Sequence, residues 1–124
     1  MVYWITGCSS SGKTVYAYRL KRHLEKLGEK ILVLDSDDVR SYFETGFEDS
    51  DREEHIMRLA KFAVIAEKQG FVVIVAAISP RKIWRMKARK MLNESMLIYM
   101  PGGFLWDGTD YEIPDHEEMM CGGI

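Results

Sequence analysis

The chain has 124 residues, of which 47% are hydrophobic and 29% charged, with a formal net charge of -2. That length holds one domain, spanning 1–124, with one modest core, and the near-neutral balance excludes a basic field over the whole surface of the kind that draws nucleic acid or acidic lipid. Any site for an anion must therefore be local.

Residues 2–5 form a short apolar run that stops at Thr6-Gly7 and reads as a buried strand ending in a turn. Over 13–27 the apolar positions Val15, Ala17, Tyr18, Leu20, Leu24 and Leu27 recur at helical spacing, and Gly28 stands where a helix commonly closes. A second strand is expected over 31–34, running into the acidic stretch Asp35-Ser36-Asp37-Asp38. After an irregular passage around Thr45-Gly46-Phe47, the segment 50–69 carries Ile56, Leu59, Ala60, Ala63, Val64 and Ala66 at helical intervals, with Ser50 or Asp51 as N-cap and Gly70 as the stop. The continuous apolar run 71–78 predicts a central parallel strand broken by Ser79-Pro80, and 81–92 a basic helix. A fourth strand over 96–100 ends at Pro101-Gly102-Gly103. Residues 101–124 lack periodicity and read largely as coil closing over the site.

Alternating strands and helices predict an α/β fold: a three-layer sandwich of the P-loop NTPase type, with a mostly parallel sheet of about four strands. Ligands of such sheets sit at the carboxyl ends of the strands, which gathers 7–14, 35–40 and 78–81 at one rim.

Cys8 and Cys121 lie far apart without metal-ligand spacing, and a thiol in a glycine-rich turn suits a reducing compartment, so a cytoplasmic location is expected. The longest apolar run, 71–78, is well short of the ~20 residues that span a bilayer, so no membrane segment is expected.

Gly7-Cys8-Ser9-Ser10-Ser11-Gly12-Lys13-Thr14 satisfies G-x-x-x-x-G-K-[ST] in the required context, after a strand and opening a helix. Gly7 and Gly12 let the backbone wrap so that the amides of the loop, through Ser9, Ser10 and Ser11, point at phosphate oxygens, and the helix that begins there adds partial positive charge. Lys13 is expected to reach the β- and γ-phosphates of ATP, and Thr14 to offer a hydroxyl to Mg²⁺. The acids of the second strand, in Asp35-Ser36-Asp37-Asp38-Val39-Arg40, can hold metal water or accept the proton of an attacking hydroxyl, while Arg40 can pair with an anionic acceptor. A solvated polar turn with an N-cap aspartate is the competing reading.

The ordered set is similar to the adenylylsulfate kinase family as far as residue ~100: the phosphate loop, then Leu-Asp-x-Asp-x-Val-Arg, then Gly-Phe-x-x-x-Asp-Arg-Glu-Glu-x-Ile-x-Arg, then Ile-Ser-Pro. The resemblance implies transfer of the γ-phosphoryl of ATP to the 3′-hydroxyl of adenylylsulfate, with Asp35 the metal-associated acid and Asp37 the base. It implies Arg40 and Arg52 on the phosphosulfate, Ile78 and Ser79 as further contacts to the acceptor, and Phe47 and Phe104 stacking on its adenine. Beyond Gly103-Phe104, the segment Tyr111-Glu112-Ile113-Pro114 also looks like the family's.

Departures accompany this. His55 and Asp38 stand where the family has asparagines, with His55 still able to hydrogen-bond the acceptor, and no basic lid helix follows the fourth strand. Two other readings stay open: a P-loop kinase acting on another small hydroxyl or nucleotide, and a nucleotide-binding module that transfers nothing. Arg81 and Arg85 of the basic helix could grip anionic ligand, with a solvated helix face as the alternative. One basic cluster in a net-acidic chain disfavours nucleic acid as partner. The exposed apolar residues of so short a chain would suit a homodimer.

Overall fold

The computed structural model describes residues 1–106 and 109–120, so the part of the expected coil at 107–108 and 121–124, with Cys121, lies outside it. Four strands, β1 (Val2–Gly7), β2 (Ile31–Asp35), β3 (Val72–Ala76) and β4 (Ser95–Met100), form one sheet in the order β2-β3-β1-β4, with every pairing parallel. Period-two alternation splits the strands between two layers. Val2, Trp4, Val73 and Val75 face one cluster with Ile56, Leu59, Ala60 and Ala63 of α3 (Asp49–Lys68) and Trp84 and Ala88 of α4 (Lys82–Met91). Ile5, Ile74 and Ala76 face the other with Ala17, Leu20 and Leu24 of α1 (Lys13–Lys26). The result is the expected helix–sheet–helix sandwich.

The elements differ from expectation at several points. The stripe on α1 is narrower than its sequence suggests. Val15 and Leu27 are 59% and 68% exposed, because only the 17, 20, 24 face meets the sheet. Helix α3 begins at Asp49, not at a Ser50 or Asp51 cap. Glu48 precedes it without a side-chain cap bond, and Asp49 and Asp51 instead place negative charge in the first turn. The run 71–78 is strand only to Ala76, where the β2 pairing also stops, and the chain then turns through Ser79 at φ 49°. The acidic stretch is not a loop: α2 (Ser36–Arg40) starts there, capped by Asp35, whose Oδ1 accepts from the Asp37 amide at 3.1 Å. The segment expected as coil carries a short helix, α5 (His116–Met120).

Two close approaches set the rim. A Cβ on Gly7 would sit 2.5 Å from the Met100 carbonyl, so β4 can lie against the phosphate loop only if residue 7 is glycine. Gly103, at φ 77°, brings the chain back across the same loop. The Phe104 amide donates to the Ser9 carbonyl at 2.9 Å, and a side chain at 103 would collide with that carbonyl. The chain leaves β1 toward β2 at one edge of the sheet and leaves β3 toward β4 at the other. The crevice between these adjacent strands is therefore the topological switch point where such sheets take ligands.

Candidate active site

A cleft of about 700 Å³ opens at this crevice. On one side it is lined by Ser9 to Thr14 of the phosphate loop. On the other lie Arg40, Phe47, Arg52 and His55, and between them Asp35 and Asp37. The turn after β3, with Ile78 and Ser79, forms the floor, and Trp106 and Thr109 close one flank.

Gly12 precedes α1 in the left-handed region at φ 93°, which a residue without Cβ adopts freely. Lys13 then folds back over the loop, and its Nζ donates to the Cys8 carbonyl at 2.7 Å and to Ser11 Oγ at 3.5 Å. Burial lowers the Lys13 pKa, opposed first by the charge of Asp37, then by Cys8 and Asp35. Thr14 Oγ1 donates to Asp35 Oδ2 at 2.7 Å, joining the start of α1 to the end of β2. Among the described residues no group of three or more His, Cys, Asp or Glu could hold a metal. What Thr14 and Asp35 offer is a pair of hard oxygen donors. That fits magnesium, which takes oxygen ligands and draws the rest of its shell from phosphate and water.

The far side of the cleft is cationic and partly unsatisfied. Arg40 Nη2 donates weakly to the Gly46 carbonyl at 3.4 Å, and its guanidinium lies 4.9 Å from the centroid of the Phe47 ring. Its Nη1 is buried without a hydrogen-bond partner. Burial lowers the Arg40 pKa and Arg52 lowers it further, while Asp37 raises it. Asp37 thus acts electrostatically on both Lys13 and Arg40.

His55 is 3% exposed and pairs through Nε2 with Ser36 Oγ at 2.8 Å, leaving Nδ1 buried and unpartnered. Burial first, then the charges of Arg40 and Arg58, push its pKa down to about 4, so the ring is neutral near pH 7. The two orphaned donor or acceptor atoms, Arg40 Nη1 and His55 Nδ1, belong to neighbouring side chains. Buried polar atoms without partners are costly, and here they mark where ligand atoms would satisfy the wall.

Ser79 lies in the floor, but its hydroxyl is engaged: it accepts from Trp4 Nε1 at 2.9 Å and donates to the Ala77 carbonyl at 3.1 Å. Phe47 is 81% exposed at the mouth. From the segment after β4 it is Trp106 that lines the cleft, with Phe104 packed edge-on against it at 5.1 Å between centroids. Nothing in the order of residues singled out Trp106, because its place depends on how the chain recrosses the phosphate loop.

Neither reading of the basic helix describes Arg85, which neither grips a ligand nor joins a solvated face. It is fully buried in an ion pair with Glu118, Nε to Oε2 at 2.7 Å. Arg81 forks between Asp110 and Asp49 at 2.9 and 3.3 Å. Among the described residues no helix is long and apolar enough to cross a membrane.

An all-parallel sheet with a phosphate-loop motif between β1 and α1, and acids at the end of β2, defines the P-loop NTPase class of α/β folds. Comparison narrows the class. The family model for adenylylsulphate kinase matches residues 1–102, and the chain belongs to that family. An adenylyl-sulfate kinase of Escherichia coli O1:K1 is 39% identical over 100 residues, 79% of this chain and 50% of the relative, so the chain spans about half the length of the curated relatives it matches. The Mycobacterium tuberculosis APS kinase CysC, solved in complex with AMPPNP and APS, superposes with a TM-score of 0.77 at 33% identity, covering 81% of this chain and 61% of that one. A mutant of the same kinase covers 93% of this chain and 80% of its own, with a TM-score of 0.76 and 31% identity.

Proposed function

We propose that this protein transfers the γ-phosphoryl group of ATP to the 3′-hydroxyl of adenylylsulfate. The observation that carries the reading is one cleft with the phosphate loop on one side, an arginine wall with orphaned Arg40 Nη1 and His55 Nδ1 on the other, and Asp37 acting on Lys13 and Arg40 between them.

The phosphate-loop amides and Lys13 hold the β- and γ-phosphates of the donor. Thr14 and Asp35 would hold a magnesium ion, which when bound draws charge from the phosphate oxygens. Arg40 and Arg52 take the phosphosulfate of the acceptor, with His55, Ile78 and Ser79 as further contacts, and Phe47 stacks on its adenine, with Phe104 on the opposite side through the Trp106 ring that it packs against. Asp37 accepts the proton of the 3′-hydroxyl as that oxygen bonds to the γ-phosphorus and the bond to the leaving ADP oxygen breaks. Catalysis by such a site is mostly positioning and charge stabilisation.

A coupled assay of ADP release, run with adenylylsulfate and with a panel of nucleosides, tests the substrate. Adenylylsulfate-dependent release that falls by about 10²–10⁴-fold in Asp37→Asn, with ATP affinity unchanged, is the expected result for loss of a general base. ATP binding without any acceptor-dependent release would point to a module that binds nucleotide and transfers nothing.

A further inference from the structure

We infer that Arg85, which does not itself line the cleft, is a positioning residue for the phosphoryl acceptor, acting through the carbonyl of Ser79. The inference rests on the acceptor site proposed above and adds to it a part that no catalytic motif contains.

The guanidinium of Arg85 is 0% exposed and uses its donors on three partners from three places in the chain. Nε and Nη2 form a two-pronged pair with Glu118, at 2.7 and 3.0 Å. Nη2 also donates to the Glu112 carbonyl at 2.8 Å, and Nη1 to the Ser79 carbonyl at 2.7 Å. Its neighbour Tyr111, whose ring centroid is 5.5 Å from the guanidinium, extends the same network. Thr6 has one hydroxyl proton and donates it to the Ile78 carbonyl at 2.6 Å, so the Tyr111 hydroxyl is the donor in its 2.8 Å bond to Thr6 Oγ1. The Pro80 carbonyl accepts from the Glu112 amide at 2.8 Å.

Three successive carbonyls, of Ile78, Ser79 and Pro80, are therefore each fixed, two of them directly by Arg85 or the segment it anchors and the third through Thr6 and Tyr111. This over-determination holds Ser79 at φ 49°, a left-handed conformation that is unfavourable for a residue with a Cβ.

A trans peptide is planar, with its N–H opposite its C=O, so fixing a carbonyl fixes the direction of the next amide. The Ser79 hydroxyl holds the Ala77 carbonyl, which sets the Ile78 amide, and Thr6 holds the Ile78 carbonyl, which sets the Ser79 amide. Among the described residues neither of these two amides donates to a backbone or side-chain acceptor, and both residues line the cleft. Two consecutive free amides, held rigidly in the floor of an arginine-walled cleft, form a concavity suited to the anionic group of the acceptor. Arg85 and Glu118 keep it in shape. The donor side has its own scaffold in the loop 7–14, so the two halves of the cleft can be perturbed separately.

Arg85→Lys keeps a positive charge but cannot serve Glu118, Glu112 and Ser79 at once, whereas Glu118→Gln leaves Arg85 an acceptor oxygen. Steady-state kinetics, titration calorimetry with ATP and with adenylylsulfate, and thermal melts are compared. In Arg85→Lys the KM for adenylylsulfate is expected to rise about tenfold or more, as for loss of a hydrogen bond to a charged group, with ATP affinity within about twofold of wild type. Glu118→Gln by itself, which keeps an acceptor for Arg85, should show only a small part of that rise.

Tyr111→Phe, which leaves no buried charge unpaired, is the second variant should Arg85→Lys fail to fold, and it should raise the same KM by about threefold. An unchanged acceptor KM in a folded variant overturns the inference. So does a parallel loss of ATP and acceptor affinity, which would mean a general weakening of the fold. Wild-type protein that binds ATP but not adenylylsulfate overturns both the inference and the acceptor assignment, and that outcome is visible before any variant is made.

Discussion

The phosphate loop and the segment 109–118 meet at the same rim of the sheet, but they are built in opposite ways. The loop is eight contiguous residues whose shape comes from glycine at 7 and 12, and its lysine bonds to a carbonyl five residues away. The later segment is held almost entirely by side chains distant in sequence: Arg85 to Glu118 across 33 residues, and Tyr111 to Thr6 across 105. A local scaffold can lose a functional side chain and keep its shape, whereas a scaffold of long-range polar bonds fails together with the contacts that define it. Mutations in the first region should therefore change ligand binding and spare stability, and those in the second should change both.

The largest effect expected is on Lys13→Ala. ATP affinity should fall by about 10²–10³-fold, for loss of a charge-assisted contact to phosphate, while the melting temperature stays near wild type or rises, since a partly buried cation is removed. Calorimetry beside a thermal melt reads both. An unaltered ATP affinity would mean that the loop is not a phosphate site.

Gly103→Ala probes the seam between the regions. Its Cβ would strike the Ser9 carbonyl at a left-handed position, so the melting temperature should drop by about 5–10 °C. A stable Gly103→Ala would show that the crossing of the phosphate loop at Ser9 contributes little.

The smallest effect concerns His55 and its pH dependence. Its pKa is lowered from 6.5 to about 4 in the folded chain, so the unfolded chain binds the proton more readily. The stability linked to its neutrality is full above pH 6.5, declines as pH falls from there toward 4, and is flat below. His55→Gln should remove that part of the acid loss, narrowing the difference in melting temperature between pH 7 and pH 5 by about 5 °C. Melts of both proteins across that range settle it, and identical pH slopes would contradict the buried neutral ring.

Much of the donor side was legible in the residues. The strand, phosphate loop and helix follow one another in sequence, and a continuous apolar run ending at Thr6-Gly7, then apolar residues at helical spacing, separate β1 from α1 without reference to anything else in the chain. The end of β2 was half legible. Asp35 was expected either as a functional acid or as a helix cap, and it caps α2 while accepting from Thr14. On the acceptor side the resemblance drew attention to Phe47 and Phe104; Phe47 lines the cleft, while from the segment after β4 the lining ring is Trp106, with Phe104 packed against it. Arg85 looked like one of several cations on a basic helix. Its burial follows from a partner 33 positions later in a stretch without periodicity.

The sequence by itself determined the order of the four strands and the three longer helices, the layered α/β class and the phosphate loop, because those rest on local geometry and short-range periodicity. Only the tertiary structure decided which carbonyls of the β3–α4 turn are held, which ring faces the cleft, and that His55 and Arg40 each bury an unpaired nitrogen there. These are outcomes of packing between segments far apart in the chain, where burial and partner choice, not residue type, set what a side chain does.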